Sequence, residues 1–159
     1  MLFRSGEINV SNATVNCKAI YLGPLNDSAF SSSNHVLNVS GVASSISLAS
    51  TDAYSLKLRM GSTLKFTIPV NGFTATPIVT AGGVTVYDDE NSAAVDPAKL
   101  VIDASEFVGG KQTLISCVSN STYFLQRLVS NKEGRGMLKI EDDGTKLVYY
   151  KSGVILIVR

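Results

Sequence analysis

The stretch Ser31 to Ser50, SSSNHVLNVSGVASSISLAS, places the chain's one histidine, His35, beside three consecutive serines. A serine hydroxyl becomes a nucleophile when a base takes its proton and a third group orients that base. Such partners converge in space and seldom along a chain, and no Gly-X-Ser-X-Gly elbow accompanies them. His35 is therefore read as a loop or strand-edge residue, dispensable for fold and binding. The metal-ligating types are equally sparse. One histidine and two distant cysteines, Cys17 and Cys117, cannot close a zinc site. They are read as two reduced, mostly buried thiols in preference to a single long-range disulfide.

Two acidic clusters, Asp88-Asp89-Glu90 and Glu141-Asp142-Asp143-Gly144, offer oxygens for calcium. Neither has the alternating spacing of a calcium loop, and the second falls where a hairpin turn is expected. The pairs Gly82-Gly83 and Gly109-Gly110 lack the Gly-Lys-Ser/Thr ending of a phosphate loop and are read as turns. No catalytic, cofactor-binding or metal residue is assigned. A hydrolase with two carboxylates is the weakest reading, because the acids lie mostly in predicted turns. A carbohydrate-binding or adhesin-like module is the stronger alternative. It would use loop acids and Tyr21, Tyr54, Tyr87, Tyr123, Tyr149 and Tyr150, since the chain has no Trp.

The elements that would carry such groups read almost entirely as strands. Over Tyr54–Val70, Tyr54, Leu56, Leu58 and Met60 alternate with polar residues, and after Gly61-Ser62 the set Leu64, Phe66, Ile68 and Val70 does the same. This pattern predicts a hairpin with one face on a core and one in water, in which Pro69 marks an edge or the end of pairing. In the serine-rich stretch Val36, Val39, Val42, Ser44, Ile46 and Leu48 supply strand positions, with Gly41 as a bend. Residues 7–22 read as a pair of strands. QTLISCV and TYFLQRLV read as strands parted by Asn120-Ser121. Met137–Val158 reads as a three-stranded meander turning at Asp143-Gly144 and Ser152-Gly153. One short helix is expected at Asp96–Leu100, where Asp caps and Pro97 opens a turn. No internal repeat is evident.

The chain has 159 residues, 45 % of them hydrophobic and 17 % charged, with net charge +1. A sizeable core follows, and disorder does not. Near-neutrality argues against nucleic acid as a partner. The opening MLFRSGEINV has no signal-like apolar core, and no apolar run is long enough to cross a bilayer, so a leaderless soluble protein made in a cytoplasm is expected, without a membrane partner. The triplets at Asn9, Asn12, Asn26, Asn38 and Asn120 are then read as composition, not as glycosylation sites. The expected fold is all-β: one domain over residues 1–159, an antiparallel β-sandwich, jelly-roll-like, or a barrel, of about ten short strands.

A near-neutral, Ser/Thr/Val/Gly-rich all-β chain without catalytic residues resembles the small structural proteins of tailed bacteriophage virions: capsid decoration or cement proteins, head fibres and tail components. The resemblance covers composition and strand pattern and carries no motif. It implies a non-enzymatic virion protein that binds and stabilises a protein assembly, with the major capsid protein or another virion protein as partner and no cofactor. A homo-oligomer is also expected. Val154, Ile155, Leu156, Ile157 and Val158 are apolar on both faces of a predicted strand, which requires cover on both sides, and they are the candidate interface.

Overall fold

The computed structural model describes residues 6–23, 35–51, 55–59, 61–86 and 98–151. Fourteen strands and one helix lie among them, and they repeat in threes. The first turn of the chain runs through β1 (Gly6–Ser11), β2 (Thr14–Cys17) and β3 (Ile20–Leu22). The second runs through β4 (His35–Ser40), β5 (Ser45–Leu48) and β6 (Leu56–Leu58), and the third through β7 (Ser62–Thr67), β8 (Ile78–Thr80) and β9 (Val84–Val86). The fourth has β10 (Lys99–Asp103) and β11 (Lys111–Cys117), and then a helix, α1 (Thr122–Ser130), in place of a third strand. After these come β12 (Lys132–Glu133), β13 (Met137–Glu141) and β14 (Lys146–Tyr150).

Each strand pairs with its counterpart one turn away. Sheet A has the order β1-β4-β7-β10-β12, sheet B the order β13-β14-β11-β8-β5-β2, and sheet C the order β3-β6-β9. The pairs from β1 to β11 are parallel, and only β11–β14 and β13–β14 are antiparallel. The chain is thus a three-sided parallel β-solenoid. Gly6 pairs with His35 and His35 with Ser62, offsets of 29 and 27 residues.

Strand side chains alternate between faces, so register stacks like on like. In sheet A, Ile8, Leu37, Leu64 and Leu100 form one inward row, and Val10, Val39, Phe66 and Ile102 another. Val15, Ile46, Ile78 and Ile115 run down the inside of sheet B, and Ile20, Leu56 and Val84 down sheet C. One hydrophobic core gathers these rows, and Phe66 and Phe73 meet edge to face within it, centroids 6.4 Å apart.

The corners need backbone that strands cannot supply. Between sheets A and B, Asn12 and Gly41 have φ of 50° and 83°. A Cβ on Gly41 would lie 2.6 Å from Asn12 Oδ1 and 2.8 Å from its backbone nitrogen, so only glycine fits there. Buried Ser44 satisfies this corner: its hydroxyl accepts from the Asn12 N–H at 2.8 Å and donates to the Ser40 carbonyl.

The fold corrects the expectation of an antiparallel sandwich or barrel. Alternation shows that one face of a strand meets water, which is normally an antiparallel trait because parallel sheets are covered on both sides. A solenoid is the case in which parallel strands also keep one wet face. The predicted hairpin at 54–70 is not formed: β6 lies in sheet C and β7 in sheet A, with Gly61 turning a corner between them at φ 70°. Residues 7–22 form three strands in three sheets, not a pair. Of the expected helix, Lys99 and Leu100 belong to β10. TYFLQRLV, expected as a strand, is α1, since Phe124, Leu125, Leu128 and Val129 fall on one helical face and Leu125 and Leu128 are buried. The β13–β14 hairpin of the meander is present, turning through Asp142 and Asp143 at φ 51° and 52°.

Candidate functional site

The residues singled out for chemistry do not converge. His35 opens β4 on the inward row between Gly6 and Ser62 and is 3 % exposed, so it is an interior residue and not a strand-edge one. Ser31 to Ser33, Asp88 to Glu90 and the proposed interface Val154 to Val158 lie outside the described residues. Cys17 and Cys117 are free thiols in one ladder, Cys17–Leu48–Thr80–Cys117. Three strand spacings separate them, about 14 Å, where a disulfide needs Cα atoms within about 7 Å. Burial pushes the Cys117 thiol up, and its Sγ donates to the Thr145 carbonyl at 3.1 Å. The described tyrosines are dispersed: Tyr21 on sheet C, Tyr123 on α1, Tyr149 in the core and Tyr150 on the last strand. No group of three or more histidine, cysteine or acidic side chains that could hold a metal occurs among the described residues. No described helix is long and apolar enough to cross a membrane.

Two surface features are built by the fold. The first is polar. The acidic turn Asp142-Asp143-Gly144 faces the start of α1 across a shallow hollow of about 500 Å³ lined also by Asn120, Thr122 and Gln126. Two carboxylates of this hairpin end, Glu141 and Asp142, are committed to local partners. Glu141 accepts from the Tyr150 hydroxyl and from Lys111 Nζ at 2.9 Å, and these two bonds hold its carboxyl below the ordinary value. The same bond to Glu141, with Tyr150 adding, pushes Lys111 up. Lys146 holds Asp142 low in the same way. Lys111 and Lys139 also lie over the Tyr150 ring, at 5.5 Å and 5.0 Å from its centroid. This is a bonded hairpin end, where turn and strand residues neutralise one another, and it matches the reading of that acidic cluster as a turn.

The second feature is apolar. Where sheet B turns toward sheet C, a groove of about 530 Å³ runs along the solenoid axis. It is made by the same register positions of successive turns. Asn16, Ser47 and Val79 project outward from β2, β5 and β8 as one row. Lys18, Ala49, Ala81 and Val118 follow just past the strand ends, held in step by backbone bonds such as Ala81 N–H to Leu48 O at 2.9 Å and Val118 N–H to Thr80 O at 3.2 Å. Small side chains make the floor, while Val79 and Val118 stand 44 % and 74 % exposed above it. The polar end is at Asn16 and Lys18. Floor backbone groups are tied into turn-to-turn hydrogen bonds, so recognition here rests on shape and apolar contact, with a cation at one end.

Sequence reading missed this groove. Its components are unremarkable singly, a Ser, two Ala and two Val, and become a surface only through a register of about thirty residues. Comparison with protein-family models, with curated proteins and with solved structures finds no match.

Proposed function

We propose that this protein is a non-enzymatic structural protein that works by binding another protein along the sheet B corner groove, as a virion component that decorates or cements a capsid. The groove is the observation that carries the binding reading. Exposed valines on a floor of small side chains are a surface that gains by being covered. The solenoid behind it holds Val79 and Val118 on consecutive, hydrogen-bonded turns, so little order is lost when a partner docks. The described tyrosines do not line the groove, which favours a protein partner over a sugar. The virion setting rests on the compositional resemblance alone.

The test places a photo-crosslinking amino acid at Ala49, Val79 or Val118 in producing cells, with Val108, exposed but off the groove, as control. The expected result is one protein species joined at the groove positions and sedimenting in a large assembly. Val79→Lys and Val118→Lys should release the protein from that assembly with an unchanged unfolding midpoint. Equal crosslinking from Val108, or a protein that stays in the light fraction without crosslinks, would overturn the proposal. Binding on a glycan array that Val79→Lys abolishes would replace it with the carbohydrate-binding reading.

A further inference from the structure

The corner groove has a fixed rhythm. Along one side of it run Lys18, Ala49, Ala81 and Val118, each one residue past the ladder Cys17–Leu48–Thr80–Cys117, and so one rung per turn. Neighbouring strands lie about 4.8 Å apart, which sets these rungs at about 0, 4.8, 9.6 and 14.4 Å along the solenoid axis. The backbone of the groove is already engaged. The N–H groups of Ala49, Ala81 and Val118 donate to the carbonyls of Cys17, Leu48 and Thr80 at 2.9, 2.9 and 3.2 Å, and Ser50 N–H donates to the Lys18 carbonyl at 2.9 Å. Among the described residues that line the groove Lys18 is the one charge, and it stands exposed at the first-turn end.

We propose that the part of the partner that fills this groove is an amphipathic α-helix lying along the solenoid axis, with an acidic side chain over Lys18. The helix assignment rests on the groove being where the partner docks. Hydrogen bonding and spacing both select a helix over an extended segment. An extended segment would press its own N–H and C=O groups against an apolar floor whose amides are taken, and leaving them unpaired there is costly. A helix pairs its own backbone and meets the floor with side chains alone.

Spacing gives the same answer. Helix positions i, i+3, i+7 and i+10 share one face and rise by about 0, 4.5, 10.5 and 15 Å, each within about 1 Å of a rung. Same-face residues of an extended chain recur about every 6.6 Å, so the second falls between two rungs. Charge then fixes which end is which. A carboxylate at the end of that helical face lies over Lys18, and the next three positions meet Ala49, Ala81 and Val118. Aliphatic side chains suit those three, because the floor side chains are small and Val79 and Val118 are exposed to cover them. The ion pair at the rim sets register and choice of partner more than affinity.

The test places a diazirine amino acid singly at Ala49, Ala81 and Val118 in producing cells and maps the partner residue joined from each by mass spectrometry of the digested adducts. The joined residues should lie in one partner segment, three or four apart from rung to rung and about six or seven apart from Ala49 to Val118. An extended segment would advance by only about three over the same two rungs. That shorter spacing, or joined residues scattered over several segments, would overturn the helix while leaving the groove as the docking surface. No adduct at any of the three positions would remove the docking surface and the helix with it. The mapped segment, made as a labelled peptide, should bind the purified protein. Its affinity should fall roughly two- to tenfold with Lys18→Glu and return when the acidic residue of the peptide is changed to lysine. A peptide that does not bind, or an affinity indifferent to Lys18→Glu, would overturn the acidic pairing.

Discussion

Truncation along the sheet A row Ile8–Leu37–Leu64–Leu100 should cost stability according to position in the stack. Leu37 and Leu64 are each 0 % exposed, with a ladder neighbour above and below. Removing either side chain leaves a cavity whose walls are held by two turns, so Leu37→Ala or Leu64→Ala should cost about 3–4 kcal/mol, within the usual span for buried leucine. For a chain of this size that lowers the melting temperature by roughly 6–16 °C. Among the described residues Ile8 has a ladder neighbour on one side only, and it is half-buried. Less area is lost, and water can enter the gap, so Ile8→Ala should cost about 1–2 kcal/mol. The assay is urea unfolding of each variant at one fixed protein concentration. The slope m should stay constant, so that midpoint shifts report stability. A double-mutant cycle on Leu37 and Leu64, distant in sequence but adjacent in register, should show coupling of about 0.5 kcal/mol or more. An Ile8→Ala cost equal to that of Leu37→Ala, or no coupling between Leu37 and Leu64, would refute the stacking order.

His35→Ala should destabilise the protein by about 1–3 kcal/mol, since a buried polar side chain is removed from its partners; a melting temperature equal to wild type would contradict its interior placement. Thiol labelling without reductant should find two free cysteines after denaturation, and in the folded protein Cys17 should react well before buried Cys117; a loss of both signals that reductant restores would contradict the ladder spacing. The Glu141 carboxyl should titrate below its ordinary 4.5. Because its folded value is depressed, the contribution it makes is present above pH 4.5 and is lost as pH falls through the folded value. Lys111 is the mirror case: its contribution is present below its ordinary 10.5 and is lost as pH rises through the folded value. Nuclear magnetic resonance titration of Glu141 in Lys111→Met should show the carboxyl moving back toward 4.5, and an unmoved value would break that link.

Much of the local structure was legible. Alternation correctly marked Leu56, Leu58, Leu64, Phe66 and Ile68 as buried, and Gly41 as a bend or bulge, but Val70, read on the same face, is 45 % exposed. Which strand lies beside which was not, because a corner glycine and a hairpin glycine supply the same left-handed backbone. One signal was available and unused. Ile8-Asn9-Val10-Ser11 and Leu37-Asn38-Val39-Ser40 are near-copies, 29 residues apart and in register. A repeat of that length points to stacked turns. The spacing of Phe124, Leu125, Leu128 and Val129 likewise signalled α1. The groove had no local signal at all, since its row positions acquire meaning only after the turns are stacked.

The parallel register also gives the molecule a mechanical grain. Every turn-to-turn hydrogen bond points along the solenoid axis. A pull that separates the first turn from the last loads those bonds a few at a time, so turns peel away in succession at low force. A pull along the strands, applied through the flat sides, loads whole rows together in shear. A solenoid gripped along its groove is held in the strong direction, while one hung from its chain ends is held in the weak one. Attachment by a side, with the ends left unloaded, is the arrangement under which this architecture bears force best.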